Sequence, residues 1–265
     1  MSTRLAVYGD VHGAFDLDEA RALDRLGYDG ILFVGDLGTL APGSGRRVAR
    51  AIASLRTPTL VLPGNHDGPS PLGVFREAVL HGWHPPGSAR RLLRRTDALA
   101  RALHPVPLVG YSSHPVGELT VVAARPWAMD GRRSSFDGAL QRLHGVSGLA
   151  ASATRLRALL AACEGPVVVL AHNGPAGLGA RPSDPWSLDG RDAGDPDLAA
   201  AISDQPHVRA VVAGHMHLGD TRDAFRRHGG LLHVNAAEVP RQGRHVELVV
   251  DHEGAQGRWV GASGR

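Results

Sequence analysis

The chain has 265 residues, 43% of them apolar and 21% charged, with a formal net charge of +3 and a pI of about 9.7. That is the make-up of an ordinary globular chain of one large or two small domains, with no apolar run near the length of a membrane span. A single cysteine, Cys163, excludes an intrachain disulfide framework and points to a reducing, cytoplasmic compartment. All 29 basic residues are Arg and none is Lys. Arg suits phosphate and nucleic acid, but acidic residues nearly balance it and there is no basic tail. Abundant Ala, Gly, Pro and Arg also fit GC-rich codon usage, so charge leaves the partner open.

The N-terminus enters a strand directly, Leu5-Ala6-Val7-Tyr8, with no signal-peptide pattern. Asp10 and His12 follow it, two apart and so on one side of an extended segment. Asp16 is a helix N-cap ahead of Leu17, Ala20, Leu23 and Leu26, and Gly27 is the stop. Gly30 to Val34 is a second strand ending in Gly35-Asp36. Arg46 to Leu55 is helical, closed by Pro58. The run Thr59-Leu60-Val61-Leu62 is a third strand, delivering Pro63-Gly64-Asn65-His66-Asp67. This strand–helix alternation predicts a parallel sheet, whose ligands lie beyond the carboxyl ends of the strands.

Prolines 69, 71, 85 and 86 predict loops over residues 68–107, interrupted by a helix from Ser88 to Leu103 that carries Arg90, Arg91, Arg94, Arg95 and Arg101. A charged run on a helix is ordinarily a solvated face. Leu108-Val109 and Leu119 to Val122 predict strands of a second sheet. Arg125 to Gly148 reads as irregular, and Ser152 to Cys163 as a helix with Cys163 in the core. Val167 to Leu170 is a buried strand delivering His172. A long Gly/Pro/Asp loop follows from Asn173 to Pro196; loops of that length are functional or mobile. Asp197 to Ser203 is helical, and Val208 to Ala213 is a strand delivering His215 and His217. Leu231 to Val234 and His245 to Val250 predict antiparallel strands closing a sheet, and residues 254–265 a frayed tail. No linker separates two domains, so residues 1–265 read as one.

Asp10, His12, Asp36, Asn65, His66, His172, His215 and His217 each follow an apolar run. Any one of them alone reads as a polar turn or a satisfied core histidine. Together they are too many for one small cation and suit two. Hard oxygen plus imidazole, without thiolate, favours Mn, Fe, Zn or Ni over Ca. The pair would sit about 3.5–4 Å apart and share one carboxylate.

The blocks Asp10-x-His12, Gly35-Asp36, Gly64-Asn65-His66-Asp67, His172 and Gly214-His215-x-His217 resemble, in residue type and order, the calcineurin-like metallophosphoesterase superfamily. The resemblance implies an α/β fold, a four-layer α/β/β/α sandwich of two mixed sheets flanked by helices. It implies two divalent or trivalent ions, with Mn the first choice and Fe, Zn or Ni as alternatives. Asp10, His12, Asp36 and His217 would hold one; Asp36, Asn65, His172 and His215 would hold the other. It further implies phosphodiester or phosphomonoester hydrolysis by a hydroxide shared between the ions, with His66 as general acid and Asp67 orienting the turn or His66.

Protein Ser/Thr phosphatases of the superfamily carry a carboxylate where this chain has Thr39, an Arg where it has Pro63, and a Glu where it has Asp67. These departures point to a small-molecule phosphoesterase, with a phosphatase-like phosphomonoesterase, a nuclease and a non-catalytic metal-binding scaffold as alternatives. A nuclease would need a basic groove for a strand. Arg125, Arg181, Arg191 and Arg241 are the unranked candidates for substrate contact, and the 173–196 loop is a candidate wall of the site.

Overall fold

The computed structural model describes residues 2–39, 43–80, 84–129, 131–179, 186–188, 190–217, 221–237 and 244–261. Strands β1 (Thr3–Tyr8), β2 (Gly30–Phe33) and β3 (Thr59–Val61) are parallel and are joined through helices α1 (Leu17–Leu23) and α2 (Ser44–Ile52). Asp16 caps α1 as expected, its carboxylate accepting from the backbone N–H groups of Asp18 and Glu19. Strand β12 (His245–Val250) lies antiparallel to β1, and β13 (Ala255–Val260) antiparallel to β12, completing a sheet in the order β13-β12-β1-β2-β3.

The second sheet is built from β4 (Ser112–Val116), β5 (Leu119–Ala123), β6 (Val167–Leu170), β9 (Val208–Ala213), β10 (Phe225–His228) and β11 (Leu231–Asn235), in the order β10-β11-β9-β6-β5-β4. The two sheets pack face to face. Leu5, Val7, Leu32 and Val34 from the first meet Val121, Val168, Leu170 and Val212 from the second, all buried. Alternate residues turn outward under helices. Tyr8, Ile31 and Phe33 lie beneath α1, α2 and α4 (Ser88–Leu103). Val122, Val169 and Val211 lie beneath α5 (Asp137–His144), α6 (Gly148–Ala161) and α7 (Pro196–Ile202). Both faces of both sheets are therefore covered, which is why the strands read as unbroken apolar runs. Each side chain so buried contributes roughly 1.5–3 kcal/mol. This is the four-layer sandwich the sequence predicts. Among the described residues no helix is long and apolar enough to cross a membrane.

Several expectations are corrected. A helix, α3 (Pro71–Val79), occupies part of the stretch read as loop: Pro71 stands in its first turn, and the Ser70 hydroxyl accepts from the Gly73 N–H at 3.1 Å. Proline there starts a helix instead of breaking one. Leu108 bridges Val61 in parallel and so extends the first sheet, not the second. Strand β4 contains Pro115, tolerated because β4 is an edge strand with β5 as its one neighbour. The region from Arg125 to Gly148 includes α5. Strand β11 is parallel to β9, and β12 belongs to the other sheet, so the two do not close one sheet together. Residues 255–260 form a strand whose Trp259 packs against the core; residues 262–265 lie outside the described residues. Within the 173–196 segment, β7 (Ser187–Leu188) and β8 (Arg191–Asp192) form a small hairpin.

Candidate metal centre

Every residue of the predicted constellation lies at the carboxyl end of a strand or in the turn that follows it. Asp10 and His12 follow β1, Asp36 follows β2, and Asn65 and His66 follow β3. His172 follows β6, and His215 and His217 follow β9. Because the sheets face each other, these turns converge from both sides. Asp10, His12, Asp36 and His215 have φ of 41°, 43°, 51° and 66°. L-residues enter that left-handed region at a cost of roughly 1–2 kcal/mol each, and strain of this kind gathers at functional sites. The glycines let the turns abut: a Cβ on Gly64 would stand 2.3 Å from Asp36 Oδ1, and one on Gly214 would stand 2.4 Å from Asp10 Oδ1.

Two clusters of ligating atoms result, one of Asp10, His12 and His217 and one of Asp36, His172 and His215; within each the atoms lie within 4.8 Å of one another. In the first, His217 Nε2 is 2.9 Å from Asp10 Oδ2 and 3.3 Å from His12 Nε2. In the second, His172 Nε2 is 3.6 Å from Asp36 Oδ1. Asn65 Oδ1 joins it, 2.7 Å from His172 Nε2 and 3.0 Å from His215 Nδ1. His66 borders both: its ring stands edge-on to that of His12, and its Nε2 is 3.9 Å from Asp36 Oδ2.

Backbone carbonyls fix two of the rings. His172 Nδ1 donates to Val34 O at 2.8 Å, which leaves Nε2 as a lone pair aimed into the cluster. His12 Nδ1 makes the same contact with Gly38 O at 3.2 Å. Such partners select the tautomer a ligand needs. The carboxylates are steadied in turn: Asp10 Oδ2 accepts from the His215 N–H at 2.8 Å, and Asp36 Oδ1 from the His66 N–H at 2.7 Å.

The electrostatics favour cations. Burial alone would raise the Asp10 carboxyl, but the His217 hydrogen bond, the nearby His172 and His215 rings and the His215 N–H together hold the group down at about 2. Burial pushes Asp36 well above the usual carboxylate range, with Asp10 and Asp67 adding to the effect. Burial pushes the His215 ring down to about 3, with His172 adding, and it also lowers His172 and His66. His217 moves the other way, raised by its hydrogen bond to Asp10. Asp10 Oδ1 is buried with no hydrogen-bond partner, where nearly all buried polar atoms have one. The residues present fit a cation at each cluster.

Asp67 is fully engaged elsewhere. Its carboxylate accepts from Leu37 N–H at 2.9 Å and Gly64 N–H at 3.0 Å, and its carbonyl accepts from the Trp127 indole at 3.0 Å. Burial raises its carboxyl to about 6 against those amides. It ties the β3 turn to the β2 turn.

Arg125 corrects an expectation. It is 2% exposed and ion-paired to Asp195 at 2.8 Å and Asp197 at 3.0 Å, so it cannot reach a substrate. Asn173, next to His172, donates to Ala193 O and Asp195 Oδ1, so this buried group braces the His172 turn. Sequence reading missed that brace; the acids of Gly194-Asp195-Pro196-Asp197 were its one visible trace. Arg191 is exposed on β8, and Arg181 and Arg241 lie outside the described residues. Gly174, Pro175, Trp186 and Gly194 of the 173–196 segment line a small cavity together with Gly214 and Met216.

Face-to-face mixed sheets with paired Asp/His clusters on their strand ends define a metallohydrolase of the α/β sandwich class. A family model described as calcineurin-like phosphoesterase matches residues 3–219. The chain belongs to that family, the metal-dependent hydrolases of phosphoesters. Solved structures share the fold. The protein TT1561 of Thermus thermophilus is 14% identical, with 97% of this chain and 99% of that one covered and a TM-score of 0.59. A putative 5'-nucleotidase from Staphylococcus aureus is 12% identical with a TM-score of 0.59, covering 100% of this chain and 55% of that one. A dimetal phosphatase from Danio rerio is 13% identical over 96% of this chain and 98% of that one, with a TM-score of 0.52. Among curated proteins none matches this chain.

Proposed function

We propose that the protein hydrolyses a phosphodiester or a small phosphomonoester with two metal ions, manganese foremost, held between the strand ends. The observation that supports this most is the convergence of the two clusters, with Asp36 beside Asp10 and His66 at their common border. Asp10, His12 and His217, with Asp36, would hold one ion; Asp36, Asn65, His172 and His215 would hold the other. Bound there, the ions would activate a water and neutralise the phosphoryl oxygens.

The chain's own groups do the rest. Val34 O and Gly38 O keep His172 and His12 in ligating tautomers. Asp67 holds the Gly64–His66 turn against the β2 turn, which fixes His66 relative to Asp36. His66 is half-buried and its Nε2 lies 3.9 Å from Asp36 Oδ2, too far for a hydrogen bond, so that nitrogen would face the oxygen of the departing group. Thr39 and Pro63 stand where the protein phosphatases carry a carboxylate and an arginine, which supports a small-molecule substrate.

Purified protein supplemented with Mn is expected to hydrolyse bis(p-nitrophenyl) phosphate or p-nitrophenyl phosphate, with turnover lost on chelation and regained on adding metal. Inactivity on both esters with Mn, Fe, Zn and Ni alike would reject the reading.

A further inference from the structure

A cavity of about 600 Å³ opens beside the clusters, within the usual size for a small-molecule site. Of the cluster-region side chains it touches His66, but none of the ligating residues. From His66 it runs away from them, past Thr39 and Arg46, to Arg91, Arg94 and Arg95 on one face of α4. The carboxylate among its described lining residues, Asp67, is spent on backbone amides. Arg91 donates to Ser88 Oγ at 3.0 Å; Arg46, Arg94 and Arg95 have no hydrogen-bond or ion-pair partner among the described residues.

Four exposed guanidinium groups line the cavity, and Asp67 is the one acid among its described lining residues. Arg91, Arg94 and Arg95 stand three and four residues apart, where like charges destabilise a helix by roughly 0.2–0.5 kcal/mol per pair. Leu92, Thr96, Leu99 and Leu103 are the face α4 buries, so burial does not require arginine at these positions. What fits the arrangement is an anion. Guanidinium forks bind phosphate bidentately. Among the described residues that line it there is no Phe, Tyr or Trp, the stacking platforms that a single-strand or nucleobase site uses.

We infer that the cavity receives the group expelled in the reaction, and that this group is itself phosphorylated, a small alcohol or sugar phosphate. The inference rests on the hydrolase reading above, because it places the expelled group on the His66 side. In the step, an oxygen from water bonds to phosphorus, the P–O bond to the expelled group breaks, and its oxygen takes a proton. The arginines do not touch the reacting atoms; they hold the second phosphate so that the breaking bond lies beside His66. This differs from the arginine clamp of the protein phosphatases, whose position here is Pro63.

The test compares two methyl phosphodiesters that differ in the group expelled, ethanol in one and 2-phosphoethanol in the other, with formation of the shared product, methyl phosphate, followed by phosphorus NMR. The metal-loaded protein should favour 2-phosphoethanol at least tenfold in kcat/KM. Arg94→Gln/Arg95→Gln should cut that preference at least fivefold, and Arg46→Gln, on a different helix, should lower it too. Arg90→Gln/Arg101→Gln removes the same charge from exposed positions that do not line the cavity and should leave the preference intact. No preference in the parent protein, a preference that survives Arg94→Gln/Arg95→Gln, or equal loss in the Arg90/Arg101 variant would each overturn the inference. So would a rate that keeps climbing with oligonucleotide length beyond a dinucleotide, the mark of an extended strand. Failure on both bis(p-nitrophenyl) phosphate and p-nitrophenyl phosphate in every metal instead strikes the hydrolase reading.

Discussion

His66 and the ligating side chains around it differ in what holds them. Asp10, Asp36, Asn65 and His172 are buried, whereas the His66 side chain is 25% exposed and the His217 side chain 37%. His66 belongs to neither cluster, so metal affinity in the proposed centre should depend little on it, and proton donation should depend on it heavily. His66→Ala is expected to bind two Mn per chain by elemental analysis. It should lose about 10²–10⁴-fold in turnover on alkyl esters, the usual contribution of a positioned acid. The loss should be smaller on p-nitrophenyl esters, whose expelled group needs no proton. Lost metal in that variant would make His66 a ligand. The clustered residues were legible in the sequence because each sits at the abrupt end of an apolar run, a local signal. The partners that set their tautomers were not, since Val34 O and Gly38 O are backbone atoms without any sequence signature.

At the scale of elements, the end of β5, the turn after β6 and the start of α7 are fastened by one buried guanidinium. Arg125 joins Asp195 and Asp197, Ser152 donates to Asp197, and Tyr111 donates to Ser152 at 2.7 Å. Removing the cation would strand two buried carboxylates, which typically costs about 3–5 kcal/mol. For a chain of this size Arg125→Met should therefore lower Tm by about 10 °C. Exposed Arg191→Met should change stability by less than about 0.5 kcal/mol. Equal thermal midpoints in calorimetry would refute the brace. Its members escaped sequence reading because Arg125 and Asp197 are 72 residues apart and nothing local distinguishes a buried arginine from an exposed one. The same limit explains β11 and β12. Their apolar alternation predicts strands, but alternation carries no information on which neighbour a strand pairs with or in which direction. Helix α3 was missed for a different reason: Pro71 satisfies both a breaker rule and a helix-start rule, and Ser70 decides between them only when its hydroxyl is seen to cap.

Across the molecule, each cluster draws on both sheets. Asp10 and His12 reach from the first sheet to His217 of the second, and Asp36 from the first to His172 and His215 of the second. The block order along the chain foretold this set of residues, but the crossing between sheets appears only once strands from both are assembled around the shared core of Leu5, Val34, Leu170 and Val212. A cation in either cluster would cross-link the sandwich, and so should stabilise the whole fold and not one loop. With Mn at a hundred times its Kd the linkage is worth about 2.7 kcal/mol per site, a rise in Tm of roughly 5–10 °C for one site in a chain of this length. Asp36→Asn, which weakens the proposed bridge, should lose most of that increment, and Ca at the same concentration should supply little of it, because imidazole-rich sites disfavour Ca. Calorimetry of chelated and Mn-loaded protein checks this directly: the entire transition should move as one peak. An unmoved transition would mean that the two clusters do not bind cations across the sheets, and a shift confined to a minor early transition would mean that the metal orders a local segment only.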